Sequence, residues 1–310
     1  MKISIVIPNY NGFDLLQKNL PKVISAMDTD LEVKIIIVDD CSSPVEQENL
    51  NKLVSVLDSK IPIKLIKHTK NKGFALTVNT GAFHDPADFY VFLNTDVVPE
   101  NGFLDKAIKH FENNENLFGV GFMDESIEGN HKVLRGRGIG EWKKGMLIHS
   151  RGEVDKSNTL WISGGSSVIR GSMFRSLKGF DSLYSPFYWE DIDLSFRAQK
   201  RGYALLFDSS IKVKHFHDEG SIKKHFSKNK ILSIAYRNQF IFHWKNISDI
   251  SFLFSHLFWL PYHVFRALIR FDIPFFVGFV KVIGMLPIII STRGDMRVIT
   301  TDHRIINQKW

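Results

Sequence analysis

A single cysteine, Cys41, stands in a chain of 310 residues. It excludes an internal disulfide framework and fits a reducing compartment. The chain also lacks the G-x-G-x-x-G turn that a dinucleotide-binding dehydrogenase carries after its first strand; Pro8-Asn9-Tyr10-Asn11-Gly12 stands there instead. No repeat or low-complexity tract is evident. Long uncharged runs are scarce. The longest in the C-terminal region, Ile250 to Phe265, falls short of the roughly 20 apolar residues of a membrane-spanning helix and is interrupted by His256, Pro261 and His263. The start has one lysine and a short apolar run broken by Pro8 and Asn9, which reads as a first strand rather than a secretory leader.

What is present is an ordinary globular composition, 44% apolar and 24% charged. That suffices for one sizeable α/β domain and an appendage. The net charge of +7 is uneven: from Arg197 onward there are 18 basic and 7 acidic residues, against 22 and 26 before it. The basic half also holds the long aromatic and aliphatic stretches. Basic and greasy together favour an anionic membrane surface as partner and argue against nucleic acid. A charge at the centre of a spanning helix costs roughly 2.5–3.5 kcal/mol on insertion scales. Helices lying in the interface therefore fit better, with Trp259 and Tyr262 near headgroup level and Arg266, Arg270 and Lys281 snorkelling. A re-entrant span or a protein-binding face are the alternatives. The expected division is residues 1–220 and residues 221–310, the second region helical and peripheral at the cytoplasmic face of the cell membrane.

Periodicity places the elements. Ile3 to Ile7, Val33 to Val38, Ile61 to Ile66 and Phe89 to Leu93 are short apolar runs. Between them Phe13 to Met27, Val45 to Leu57 and Phe74 to Phe83 have helical spacing. Strands alternating with helices predict a mostly parallel, Rossmann-like α/β sheet covered on both faces, with ligands at the carboxyl ends of the strands. Those ends carry Asn9-Tyr10-Asn11, Asp39-Asp40 and Asn94-Thr95-Asp96. Residues 117 to 170 read as irregular strands and loops, with His131 to Gly140 a candidate mobile loop. Phe187 to Arg201 ends as a helix, Ala204 to Phe207 and Ile211 to His215 as closing strands, and Ser221 to Lys245 as a basic helix.

Six motifs in order carry a resemblance to glycosyltransferase family 2 over about residues 2–245. Ile7 to Gly12 is similar to the family's opening strand and donor loop, and Val38-Asp39-Asp40-Cys41-Ser42 to its second-strand motif. Asn71-Lys72-Gly73-Phe74-Ala75 with Asn79 and Gly81 resembles its N-x-G-F-A helix start. Leu93 to Asp96 stands in the place of the metal-binding D-x-D, and Trp189-Glu190-Asp191 matches the catalytic W-E-D. Tyr236-Arg237-Asn238 resembles a motif of bacterial members that build surface polysaccharides, rhamnosyltransferase-like proteins among them. The resemblance implies a GT-A fold and inverting transfer of a sugar from a nucleotide-diphosphate sugar to a saccharide or polyprenyl-linked acceptor.

The physical chemistry of such a donor assigns roles to these residues. Pro8, Asn9, Tyr10, Asn11, Asp39, Asp40, Lys72, Gly73, Ala75, Asn94, Thr95 and Asp96 form the expected donor site. Asp39 or Asp40 would accept from base or ribose. Gly73 at a helix start would admit phosphate to the positive dipole end, and Lys72 would add a point charge. Strand-end turns and caps are the structural reading of the same residues. Asn94 replaces the first carboxylate of D-x-D, so Mg²⁺ or Mn²⁺ would depend on Asp96, both phosphates, water and a histidine, His215 or His217. Asp191 is the expected catalytic base, with Glu190 binding the acceptor and Trp189 offering a flat face to a sugar ring. Gly164 and Gly165 permit close approach of the acceptor, and Asp193 reads as a cap or ion-pair partner. A non-catalytic glycan- or membrane-binding protein of the same fold, or a nucleotidyltransferase, are the competing readings.

Overall fold

Runs of isoleucine and valine form the centre of the sheet, because β-branched side chains suit a pleated surface covered on both faces. The computed structural model describes residues 1–27, 30–57, 61–128, 131–215, 226–293 and 298–308. The first half alternates as expected: β1 (Lys2–Asn9), α1 (Phe13–Ala26), β2 (Glu32–Asp39), α2 (Pro44–Leu57), β3 (Ile63–Lys67), α3 (Phe74–His84) and β4 (Phe89–Leu93). There follow β5 (Val97–Pro99), α4 (Phe103–Lys109), β6 (Leu117–Glu128), β7 (His131–Arg135), β8 (Gly138–Lys143) and β9 (Met146–Arg151). Next come β10 (Ser166–Arg170), α5 (Gly171–Ser176), α6 (Glu190–Lys200) and β11 (Ala204–His215). The chain continues through α7 (Lys228–Asn246), α8 (Ile250–Ile269), α9 (Ile273–Gly284), α10 (Leu286–Arg293) and α11 (Asp302–Ile306).

The strand order is β3-β2-β1-β4-β10-β6-β11-β5, with β7 added to β6, and β8 and β9 form a separate pair. β3, β2, β1 and β4 run parallel; β10 reverses between β4 and β6, and β6 and β11 run parallel to each other. The carboxyl ends of β1, β2, β4, β6 and β11 therefore meet one edge. Two expectations change here. Residues 131–140 are not a mobile loop, since β7 pairs with β6 and β8 with β9. The two closing strands are one, β11, which crosses its polar Asp208-Ser209-Ser210 by a register shift against β6.

Helices α1, α2 and α4 cover one face of the sheet through Leu16, Leu20, Leu50 and Phe103. α3, α5 and α6 cover the other through Val78, Phe174 and Leu194. Each large side chain buried this way contributes roughly 1.5–3 kcal/mol. A third cluster joins Leu147 of β9 and Phe196 of α6 to Phe240, Phe252, Val282 and Ile305. The helices beyond residue 220 thus share a core with the sheet-side helix α6. Polar contacts reinforce it: Lys200 Nζ lies 2.6 Å from Asp302 Oδ1, and Asp302 Oδ2 accepts from the Asp249 N–H at 2.7 Å.

Candidate active site

At the ends of β1 and β2, Asn9 and Asp39 stand side by side in register. Asp39 is fully buried, and its carboxylate accepts from Asn9 Nδ2 at 2.8 Å and from the Ser42 N–H at 3.1 Å. Ser42 Oγ in turn accepts from the Asn11 N–H at 2.8 Å, which folds the β1–α1 loop over the β2–α2 loop. Asn11 turns through φ 46°, leaving Tyr10 exposed at the surface. Asp40 is buried too. It accepts from the backbone N–H of Lys72 and of Gly73, both at 2.8 Å, and sits 2.8 Å from His68 Nδ1. Thr80 Oγ1 lies 3.0 Å from the other ring nitrogen, so His68 is pinned on both sides.

These bonds show what the expected donor-site residues touch within the protein. At the N-terminus of α3 two backbone N–H groups are engaged within the protein: Gly73 donates to Asp40 and the Phe74 N–H to the Pro186 carbonyl at 3.1 Å. Gly73 is needed for its φ of +82° and for close approach to Pro186, whose Cα would stand 3.1 Å from an added Cβ. Asp39 and Asp40 accept from donors of the protein itself, which ties the loops after β1, β2 and β3 together. Ala75 faces inward, in the cluster with Val6, Val78 and Phe92.

At the next strand end the Asn94 carbonyl accepts from the Val97 N–H at 3.1 Å, and the Thr95 carbonyl accepts from Asn19 Nδ2 at 2.9 Å. Asn19 is a polar residue on the apolar face of α1 beside Leu16, Leu20 and Val23, which is the signal that would have found it. Val97 pairs with His215 across β5 and β11. Asp96 Oδ2 consequently lies 3.3 Å from His215 Nε2, while Asp124 Oδ2 holds His215 Nδ1 at 2.7 Å. Burial works against charge on this imidazole, but the hydrogen bonds it donates to Asp124 and Asp96 outweigh it and raise its pKa to about 9. A carboxylate facing an imidazole whose other nitrogen is anchored fits a divalent cation. Among the described residues no group of three His, Cys, Asp or Glu side chains could hold an ion unaided, so diphosphate and water would complete its shell. His217 lies outside the described residues. Asp124, unremarked in the sequence, is met only because β6 lies beside β11.

The third component is the start of α6. Tyr188 and Trp189 both adopt left-handed backbone, φ 73° and 75°, a conformation costing non-glycine residues about 1–3 kcal/mol each and typical of functional sites. Asp191 then meets the N–H of Ile192 at 2.8 Å and a backbone hydrogen bond from Gly164. Burial outweighs these bonds and raises its pKa to about 6. Glu190 is pushed well above the carboxylate range by burial and then by the charge of Asp191, and its Oε2 finds no partner among the described residues. Gly165 presses against Asn94, whose Nδ2 would stand 2.3 Å from an added Cβ. Contact by contact, Asp39, Asn9, Gly12, Thr95, Asn94, Gly165, Gly164 and Asp191 follow one rim.

Residues 4–177 match the family model described as "Glycosyl transferase family 2". The chain belongs to that family. It is 26% identical over 223 residues to the pre-mycofactocin glycosyltransferase of Mycobacterium tuberculosis (strain CDC 1551 / Oshkosh), covering 69% of this chain and 43% of that protein. The chain thus spans less than half the length of the curated relatives it matches. Among solved structures it shares its fold with GalNAc-T7 in complex with UDP, GalNAc and Mn²⁺, at a TM-score of 0.66 and 16% identity, covering 81% of this chain and 48% of that one. The mannosyltransferase PcManGT from Pyrobaculum calidifontis, with GDP-Man and Mn²⁺, has a TM-score of 0.55, 14% identity and coverage of 78% and 62%. The S. aureus TarS fragment 1–349 with UDP-GlcNAc has a TM-score of 0.56, 14% identity and coverage of 82% and 69%. The fold is the GT-A fold. Trp189-Glu190-Asp191 and His215 lie beyond the matched segment.

Against the family-based expectations, one aromatic changes place. Trp189 is not a platform for a sugar ring: it is 5% exposed and packs edge-on against His149 at 4.9 Å and against Phe242 at 5.2 Å. The exposed ring is Tyr188, whose hydroxyl pKa is raised by burial and then by Glu190. Asp193 is an ion-pair partner as expected, fully buried and bound by Arg197 Nε at 2.6 Å and Lys245 Nζ at 2.8 Å.

Proposed function

We propose that this family 2 chain is an inverting glycosyltransferase that moves a sugar from a UDP- or GDP-linked donor to a saccharide or polyprenyl-linked acceptor, in the building of a cell-surface polysaccharide. The observation that carries the reading is Asp191: a carboxylate with a pKa of about 6, held by Gly164, one residue from the Gly165 that touches Asn94. A base poised near the working pH combines ionisation with proton affinity. The acceptor hydroxyl oxygen attacks the anomeric carbon, the carbon–oxygen bond to the diphosphate breaks with its electron pair leaving on the nucleoside diphosphate, and Asp191 takes the hydroxyl proton. Attack opposite the leaving group inverts the anomeric centre. Glu190 binds the acceptor from beside the base. Asp96 and His215 would hold Mg²⁺ or Mn²⁺, whose charge would stabilise the departing diphosphate. Tyr10, Asn11 and Thr95 line the donor side.

The test is a donor panel of UDP-GlcNAc, UDP-glucose, dTDP-rhamnose and GDP-Man with the full chain, scored by released nucleoside diphosphate with Mn²⁺ or with chelator. Release of pyrophosphate instead would mark a nucleotidyltransferase, and turnover by no donor would favour a non-catalytic binder.

A peripheral seat on the cytoplasmic face of an anionic membrane belongs to the same reading. Support comes from α8 and α9, which expose Phe254, Leu257, Phe258, Phe265 and Val280. Arg266, Arg270 and Lys281 stand exposed among them, and Asp272 is the only acidic residue between Ile250 and Arg293. Among the described residues no single helix is long and apolar enough to cross a membrane; α9 and α10 pass that test only as a pair bent by 62°. Phe254→Glu with Phe258→Glu should lower sedimentation with phosphatidylglycerol vesicles at least tenfold. Unchanged sedimentation would discard the membrane seat, and loss of self-association instead would make the face a protein contact.

A further inference from the structure

The segment that delivers Glu190 and Asp191 is gripped from outside the matched family domain. Asn238 of α7 is fully buried, and its Nδ2 lies 2.8–2.9 Å from the carbonyl oxygens of Tyr184, Phe187 and Tyr188. Two N–H bonds serve three carbonyls, all on the stretch that turns left-handed just before the acidic pair. Neighbouring Arg237 donates to the Ser185 carbonyl and steadies Asn238 through Nε to Oδ1 at 2.9 Å. Seven and eight residues on, two helical turns along the same face of α7, Lys245 and Asn246 each reach Asp193 Oδ1 at 2.8 Å. One helix face thus binds the chain on both sides of Glu190-Asp191.

We infer that Asn238 and Arg237 are positioning residues for transfer: α7 sets the backbone of residues 184–188, and through it the direction of the two carboxyls. Hydrogen bonds to three carbonyls within residues 184–188 select one backbone path, and the left-handed turn at Tyr188 and Trp189 persists because that path is over-determined. Without them Tyr188 and Trp189 relax toward ordinary backbone, and the Asp191 carboxylate swings away from the Gly164 N–H. The inference rests on the catalytic reading of Asp191.

The experiment compares Asn238→Ala, Arg237→Lys and Asp191→Asn in the full chain, using the fastest donor of the panel and UDP titrated calorimetrically with Mn²⁺. Asn238→Ala should lower kcat about 100-fold, leave UDP binding within twofold, and move the acid limb of the pH–rate profile away from about 6. Arg237→Lys should show the same pattern at a few-fold, because a lysine can replace one donor but not the pair. Amide exchange in residues 184–193 should quicken in both variants while β1 and β2 keep their protection. Wild-type kcat and pH profile in Asn238→Ala would overturn the inference, as would losses matched by equal loss of UDP binding. If Asn238→Ala fails to fold, Arg237→Lys with an unmoved pH profile and unmoved exchange overturns it. Near-normal turnover in Asp191→Asn would remove the base reading itself, a result that neither α7 variant can mimic.

Discussion

Two adjacent acidic pairs, Asp39-Asp40 and Glu190-Asp191, look alike in sequence and have opposite fates. Both are recessed in the protein. Asp40 faces three donors, two of them backbone N–H groups, and Asp39 is met by Asn9 and Ser42. Among the described residues Glu190 Oε2 meets no partner, and Asp191 meets backbone N–H groups and no cation. Burial alone therefore does not make a reactive carboxyl; the number and charge of its donors decide. Asp193 makes the point within one helix turn. It is more deeply buried than Asp191, yet Arg197 and Lys245 hold its pKa well below the usual range against the opposing effect of burial.

The largest effect that would break this contrast is at Asp191. Asp191→Asn should lower turnover by about 10²–10⁴-fold, the ordinary share of a general base, with UDP binding by calorimetry within twofold. The opposite signature belongs to Asp40. Asp40→Ala strips donors from the start of α3 and should cost roughly 2–5 kcal/mol of stability, read as a lower urea midpoint at unchanged slope. A drop in turnover without loss of stability would instead make Asp40 a ligand-binding residue. The pH profile sharpens the comparison. Turnover should rise about tenfold per pH unit below about 6 and level off above it, because Asp191 must be ionised to accept a proton. The smallest effect is expected at Tyr188, whose ring is 41% exposed at the mouth. Tyr188→Ala should raise acceptor KM a few-fold and leave kcat nearly unchanged, as loss of ground-state contact does.

Much of the fold was legible because apolar runs and helical spacing are local properties. β4 spans Phe89–Leu93 as read, and α1 and α2 differ from expectation by one residue at an end. The polar groups were legible only as far as the rim. Which way Asp40 turns depends on Lys72 and Gly73, 32 and 33 residues away, and the surroundings of His215 depend on Asp124, 91 residues away. Such pairings follow from strand order, which periodicity does not reveal. Trp189 misled for a related reason: an aromatic beside a carboxylate fits a sugar platform, but its left-handed backbone turns the indole into the cluster with Phe242 and leaves the outward place to Tyr188.

Asp302 sets an order of events for a chain emerging from the ribosome. The β1–β4 sheet can pair once the first hundred residues are free. The core that packs α6 closes only when Ile305 and Ile306 arrive and Asp302 reaches Lys200 and the start of α8. Until then the part of α6 that meets Ile305 and Ile306 stands uncovered, and a nascent chain at that stage would be a natural client for a chaperone.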